Sequence, residues 1–179
     1  SYGREHLLGG KGGIHDVMID DIYHSAKWAI DEGIADPKRI HILGFSYGGY
    51  AAVMSAIKYP EFYHSAVSYA APLDLKKQLK WYKKQESHFA YEYWKEMVFE
   101  QKASSKRIKE LSPFYQLKNI TIPVDIFHGD RDPVVPQVHA EAFKKEVKKQ
   151  KKSNVKVTIF NDERHGIYLK SNKIYFAEK

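Results

Sequence analysis

Between Arg39 and Tyr50 the chain reads Arg-Ile-His-Ile-Leu-Gly-Phe-Ser-Tyr-Gly-Gly-Tyr, a short apolar run that ends in Gly44-x-Ser46-x-Gly48 and leads into a helical pattern. Ile40, Ile42 and Leu43 suit a strand, and Ala51, Ala52, Met54, Ser55 and Ala56 suit a helix. A serine between the two sits on a sharp strand-to-helix turn. Such a turn is crowded, and it calls for glycine at 44 and 48, where a Cβ would strike neighbouring backbone. It lifts the Ser46 hydroxyl out of the sheet and aims the following helix N-terminus at it, so the Tyr47 backbone N–H is a ready donor to an oxyanion. A glycine-rich strand end with a structural serine would look the same locally. The residues downstream decide between the two.

Taken in order, the chain opens with Ser1 to Gly13, which holds too many glycines for a regular element and reads as loop. Ile14, Val17, Met18, Ile22, Ala26, Ala29 and Ile30 then recur at steps of three and four, placing them on one face of a helix that ends near Gly33. Asp16, Asp20 and Asp21 favour the positive end of that helix, a simpler account than acid or metal chemistry. After the strand, turn and helix around Ser46, the run Ser65 to Ala70 reads as a second strand, which gives the βαβ rhythm of a parallel sheet. An aromatic-rich, helical insert follows over about 72–113, with Trp81, Tyr82, Phe89, Tyr91, Tyr93, Trp94 and Phe99. Most of these rings pack a small cap on the sheet. A loop beyond a sheet's carboxyl edge is also where open α/β folds meet ligands, and Tyr50, Leu73, Trp81 and Tyr82 are the candidate pocket residues. Pro123 to Asp130 reads as a third strand, Pro136 to about Gln150 as a helix, Val155 to Phe160 as a fourth strand, and Tyr168 to Lys179 as a last helix.

This layout puts Ser46, Asp132 and His165 each on a turn after a strand, in an order that fits a nucleophile, an orienting acid and a general base. Parallel strands bring such turns to one sheet edge. In these roles His165 takes the Ser46 proton and Asp132 fixes the imidazole tautomer. Asp130 also follows the third strand, and the residues alone leave it as a rival to Asp132. His128 reads as buried and structural, and His41, inside the first strand, as core. The other histidines default to surface roles, with His139 on the helix after Asp132.

Charge and composition close off other classes. The formal net charge is +7, but the lysines gather in Lys144-Lys145, Lys148-Lys149 and Lys151-Lys152, where they complement a helix C-terminus. No Arg-rich or aromatic-interleaved motif accompanies them, so nucleic-acid binding is not expected. Nor is membrane insertion, since no apolar run has spanning length. The sequence has no cysteine, which removes disulfides and thiolate metal sites. No His-Glu-x-x-His spacing occurs, and neither a metal nor an organic cofactor is expected.

Read together, Tyr2-Gly3-Arg4, Asp36-Pro37 with Arg39-Ile40, Gly44-Phe45-Ser46-Tyr47-Gly48-Gly49-Tyr50, Ala71-Pro72, Ser112-Pro113, His128-Gly129 with Asp132 and Val135-Pro136, and Asp162-Glu163 with His165-Gly166 resemble the catalytic domain of the prolyl oligopeptidase family of serine peptidases. Its acylaminoacyl-peptidase and dipeptidyl-peptidase-like branches are the most similar. The resemblance implies an α/β-hydrolase fold: a mostly parallel sheet flanked by helices, forming one partial catalytic domain over 1–179 with the helical insert. It also favours Asp132 over Asp130. The implied activity is cleavage of short peptides through an acyl-enzyme on Ser46. A carboxylesterase with the same triad is the first rival, with an acyl ester as substrate, and a non-catalytic α/β-hydrolase-like binding protein is the second.

The chain departs from the family pattern at Arg164, where glycine is frequent, and between Pro72 and Trp81, where the family's pocket pattern is unclear. It begins after the segment that in relatives supplies the first sheet strands, the second oxyanion donor and often a β-propeller. The strand at Arg39 to Phe45 is therefore expected at an open edge, an aggregation hazard, and an upstream segment of the parent chain is expected to cover it. An oxyanion site with one donor would lose on the order of 10²–10³ in rate, so the piece alone is expected to be slow and prone to associate. Side-chain preference, endo- or exo-peptidase action, oligomeric state and compartment are left open.

Overall fold

The computed structural model describes residues 2–100 and 104–179. Four strands, β1 (His41–Phe45), β2 (Ser65–Tyr69), β3 (Val124–Gly129) and β4 (Val155–Phe160), form one sheet in the order β1-β2-β3-β4. Every pair is parallel, so each crossover must pass over a face of the sheet, and helices do this. Helices α1 (Arg4–Gly9) and α2 (Val17–Asp31) precede the sheet, and α3 (Tyr47–Lys58) joins β1 to β2. Between β2 and β3 lie α4 (Leu75–Lys84), α5 (His88–Met97), α6 (Ser105–Glu110) and a 3-10 turn over Pro113–Asn119. Helix α7 (Val138–Lys149) joins β3 to β4, and α8 (Lys170–Ala177) follows. Among the described residues no helix is long and apolar enough to cross a membrane.

The core follows from which strands lie inside. β3 has neighbours on both sides and buries Val124, Ile126, Phe127, His128 and Gly129. On one face α3 is buried from Gly49 to Ala56, its alanines letting the helix lie close to the sheet. Tyr69, Ala70, Phe127 and Phe160 form a second cluster with Val67, Ile167 and Phe176. β1 is an edge strand, with Leu43 59% and Phe45 44% exposed. Such an edge offers unpaired backbone groups to another strand.

Several sequence expectations are corrected. His41 is not core: on the edge strand it is exposed and its Nδ1 lies 2.8 Å from Ser65 Oγ. Residues 4–9 form α1 where the sequence predicts loop, because the segment's glycines fall at the last position of the helix, Gly9, or outside it. Helix α2 starts at Val17, where the Asp16 side chain accepts the Val17 N–H at 2.6 Å, and its buried residue is Ile19. Ile14 is buried before the helix, whereas Val17 and Ile22 are exposed. Asp20 accepts the Tyr59 hydroxyl at 2.6 Å and pairs with Lys58, a fastening between α2 and α3.

Candidate active site

The turn after β1 is strained where the sequence marks it. Ser46 has φ 56° and ψ −119°, a conformation that costs a non-glycine residue about 1–3 kcal/mol and persists only when its surroundings impose it. Those surroundings are visible: the Ser46 N–H donates to the Tyr69 carbonyl at 2.8 Å, and the Ser46 carbonyl accepts the Tyr50 N–H at 3.0 Å. A Cβ on Gly44 would lie 2.1 Å from the Gly48 carbonyl oxygen, so glycine is obligatory there. Gly48 itself has open space around its Cβ position, which corrects the expectation of crowding at 48. The second tight position of the elbow is Gly49, where an added Cβ would lie 2.8 Å from the Tyr69 carbonyl oxygen as α3 crosses the end of β2.

His165, in the loop after β4, places Nε2 3.0 Å from Ser46 Oγ and Nδ1 2.7 Å from Asp132 Oδ2. Asp132 follows β3 in a turn that its own carboxylate builds: Oδ1 accepts the N–H groups of Val134 at 2.8 Å and Val135 at 2.9 Å. Burial pushes the Asp132 carboxyl up, but the bond from His165 and those two amides outweigh it, and the net direction is down. Asp132 is therefore a carboxylate, able to accept a hydrogen bond from His165 Nδ1–H and so leave the lone pair on Nε2 toward the serine. Asp130 makes no such contact, and its Oδ1 is buried without a partner among the described residues.

His128 is buried as expected, and its Nε2 donates to the Val135 carbonyl at 2.8 Å, bracing the same turn. His139 lies on α7 but not at the surface: it is fully buried, its Nδ1 accepts the Asp74 N–H at 3.1 Å, and burial pulls its pKa down to about 3. Glu163, two residues before the histidine, carries no local signal beyond its place in the Asp162-Glu163 pair. Its buried carboxylate accepts the N–H groups of Tyr168 at 2.8 Å and Leu169 at 2.9 Å and the Asn172 amide at 3.0 Å, which closes the loop around His165.

Tyr47 is the first residue of α3, so its N–H is one of those a helix leaves without an internal acceptor. Its phenol reaches away, donating to the Ile14 carbonyl at 3.0 Å, and its ring forms one wall of a cleft of about 660 Å³ with Ile14, Val17, Met18, Trp94 and Met97. The four pocket candidates are absent from that lining. Tyr50 and Leu73 are wholly buried, Tyr50 with its hydroxyl donating to the Leu111 carbonyl at 2.8 Å; both are packing residues, and their candidacy is corrected. Trp81 and Tyr82 are half-buried, and the Tyr82 ring lies 5.8 Å from that of Trp94. The cleft could have been found in the apolar face of α2, which read as core but is partly open to it.

A parallel sheet with helical crossovers, and a serine on a strained strand-to-helix turn, define an α/β-hydrolase fold. The model of the prolyl oligopeptidase family matches residues 1–179, and the chain belongs to that family. The chain is similar to dipeptidyl aminopeptidase BIII of Pseudoxanthomonas mexicana, 28% identical over 178 residues that make up 98% of this chain and 25% of the relative. The serine hydrolase BPHL of Homo sapiens is 25% identical over 175 residues, 87% of this chain and 58% of its own. Among solved structures, a Mycobacterium tuberculosis puromycin-hydrolysing peptidase superposes with a TM-score of 0.81 at 27% identity, over 93% of this chain and 24% of that one. The chain thus spans about a quarter of the length of the dipeptidyl aminopeptidase.

Proposed function

We propose that this chain is the catalytic part of a serine peptidase acting on short peptides, with Ser46 as nucleophile, His165 as general base and acid, and Asp132 as the orienting carboxylate. The observation that carries the reading is the unbroken relay, 3.0 Å from Ser46 to His165 and 2.7 Å on to Asp132. In the first half-reaction Ser46 Oγ bonds to the carbonyl carbon of the substrate while its proton passes to His165 Nε2. Negative charge moves onto the carbonyl oxygen, where the Tyr47 N–H donates to it. The carbon–nitrogen bond then breaks as His165 returns the proton to the leaving amine. Water repeats the sequence on the acyl-enzyme, restoring Ser46 and releasing the acid. Asp132 stays ionised throughout and stabilises the imidazolium.

Two further parts of the proposal concern binding. The cleft beside Tyr47, lined by Met18, Trp94 and Met97, holds an apolar part of the substrate. A strand of the parent chain pairs with the open edge of β1 and covers Leu43 and Phe45, and the second oxyanion donor comes with it.

Comparing short peptide amides with acyl esters of the same acyl group tests the reaction class. Hydrolysis of both is expected, and Ser46→Ala is expected to lose both together. Turnover of esters alone would replace the peptidase with a carboxylesterase using the same residues.

A further inference from the structure

The reacting pair of the relay comes from the ends of two strands that are not neighbours, β1 for Ser46 and β4 for His165, and some connection must set their spacing. Tyr69, the last residue of β2 and fully buried, touches both sides. Its carbonyl accepts the N–H of Ser46 at 2.8 Å. Its hydroxyl, with one proton to share, lies 2.9 Å from the Gly166 carbonyl oxygen and 3.2 Å from that of Arg164, the residues on either side of His165. We propose that Tyr69 is a positioning residue that holds Ser46 and His165 at reacting distance, its main chain fixing the elbow and its phenol fixing the histidine loop.

The inference rests on the proposed role of Ser46 and adds a residue that never touches substrate. Three features argue that the link is stiff. The register places Tyr69 opposite Phe45 on one side and Phe127 on the other, so its backbone is clamped within the sheet. The ring is held by those of Phe45 at 5.1 Å, Phe176 at 6.1 Å and Phe160 at 6.5 Å. Burial pushes the phenol's pKa up, so the hydroxyl remains a donor. The far end of the loop is secured separately by Glu163, through Tyr168, Leu169 and Asn172. Removing the Tyr69 hydroxyl therefore frees the backbone around His165 rather than the whole loop.

A purely structural ring makes a different prediction from a positioning phenol, and two variants separate them. Tyr69→Phe deletes the hydroxyl alone, whereas Phe127→Leu disturbs the same aromatic cluster, stacked on Phe160 at 5.5 Å, without touching it. The readouts are saturation kinetics of inactivation by a fluorophosphonate and the downfield proton resonance of His165 Nδ1–H, which needs no turnover. For Tyr69→Phe the limiting inactivation rate is expected to fall about tenfold with the half-saturating concentration unchanged, since a small displacement of a reacting group costs rate rather than binding. The resonance is expected to weaken, and Phe127→Leu to keep wild-type values in both. Tyr69→Phe matching the wild type in rate and resonance overturns the proposal, as does Phe127→Leu reproducing its losses. Labelling that persists in Ser46→Ala would instead refute the role of Ser46 itself.

Discussion

Asp132→Asn is expected to lower the limiting rate of acylation by about 10⁴-fold while leaving KM for the substrate close to its original value. The asparagine Oδ1 can still accept the amides of Val134 and Val135, so the turn after β3 survives. What changes is the other end of the side chain. An amide NH₂ facing His165 Nδ1 is a donor where an acceptor stood, and the imidazole answers by carrying its proton on Nε2, the nitrogen 3.0 Å from Ser46 Oγ. A base protonated at that nitrogen cannot take the serine proton. The measurement is kcat and KM on a peptide or ester substrate beside an unfolding curve. A loss of less than tenfold with the fold intact would mean that Asp132 does not set the tautomer.

Gly44→Ala is expected to destabilise the chain by more than about 4 kcal/mol, whereas Gly48→Ala changes stability by less than about 1 kcal/mol, in the stabilising direction. Both glycines belong to the same five-residue motif, and composition cannot tell them apart. At 44 the new methyl would meet the Gly48 carbonyl oxygen at 2.1 Å and the Gly49 nitrogen at 2.8 Å. These are backbone atoms of the first turn of α3, so no side-chain rotation can yield space. At 48 the methyl enters open space in the first turn of α3, and alanine there loses less chain entropy on folding than glycine. Urea unfolding of the two variants beside the unsubstituted chain measures both effects. Equal losses would mean that the elbow relaxes as a unit and the close approach at 44 is not limiting.

The contrast between these glycines shows what sequence alone could resolve. The four strands and the elbow were legible because their signals are local: short apolar runs, turn residues after each, and a serine flanked by glycines. That Ser46, Asp132 and His165 come together was legible because they end strands in a recognisable order and sit in family motifs. Contacts between distant segments were not. Nothing near His41 says that its strand lies at an edge, and nothing near His139 says that α7 turns it inward against Asp74. The apolar repeat from Ile14 to Ile30 was real, but it fixes a helix face and not what that face meets; here part of it borders a cleft. Tyr69 looked like any strand aromatic, since its partners at 46, 164 and 166 are remote in sequence. Gly49 was overshadowed by Gly48 because the motif counts residues, while the crowding depends on where β2 ends.

The central claim is that His165 and Asp132 make Ser46 a nucleophile. Intact mass after prolonged exposure to a fluorophosphonate, on this chain and on Ser46→Ala in parallel, tests it without requiring the natural substrate. The account predicts a single phosphonyl increment on the unsubstituted chain and none on the variant. An increment carried equally by both proteins, or by neither, would contradict it.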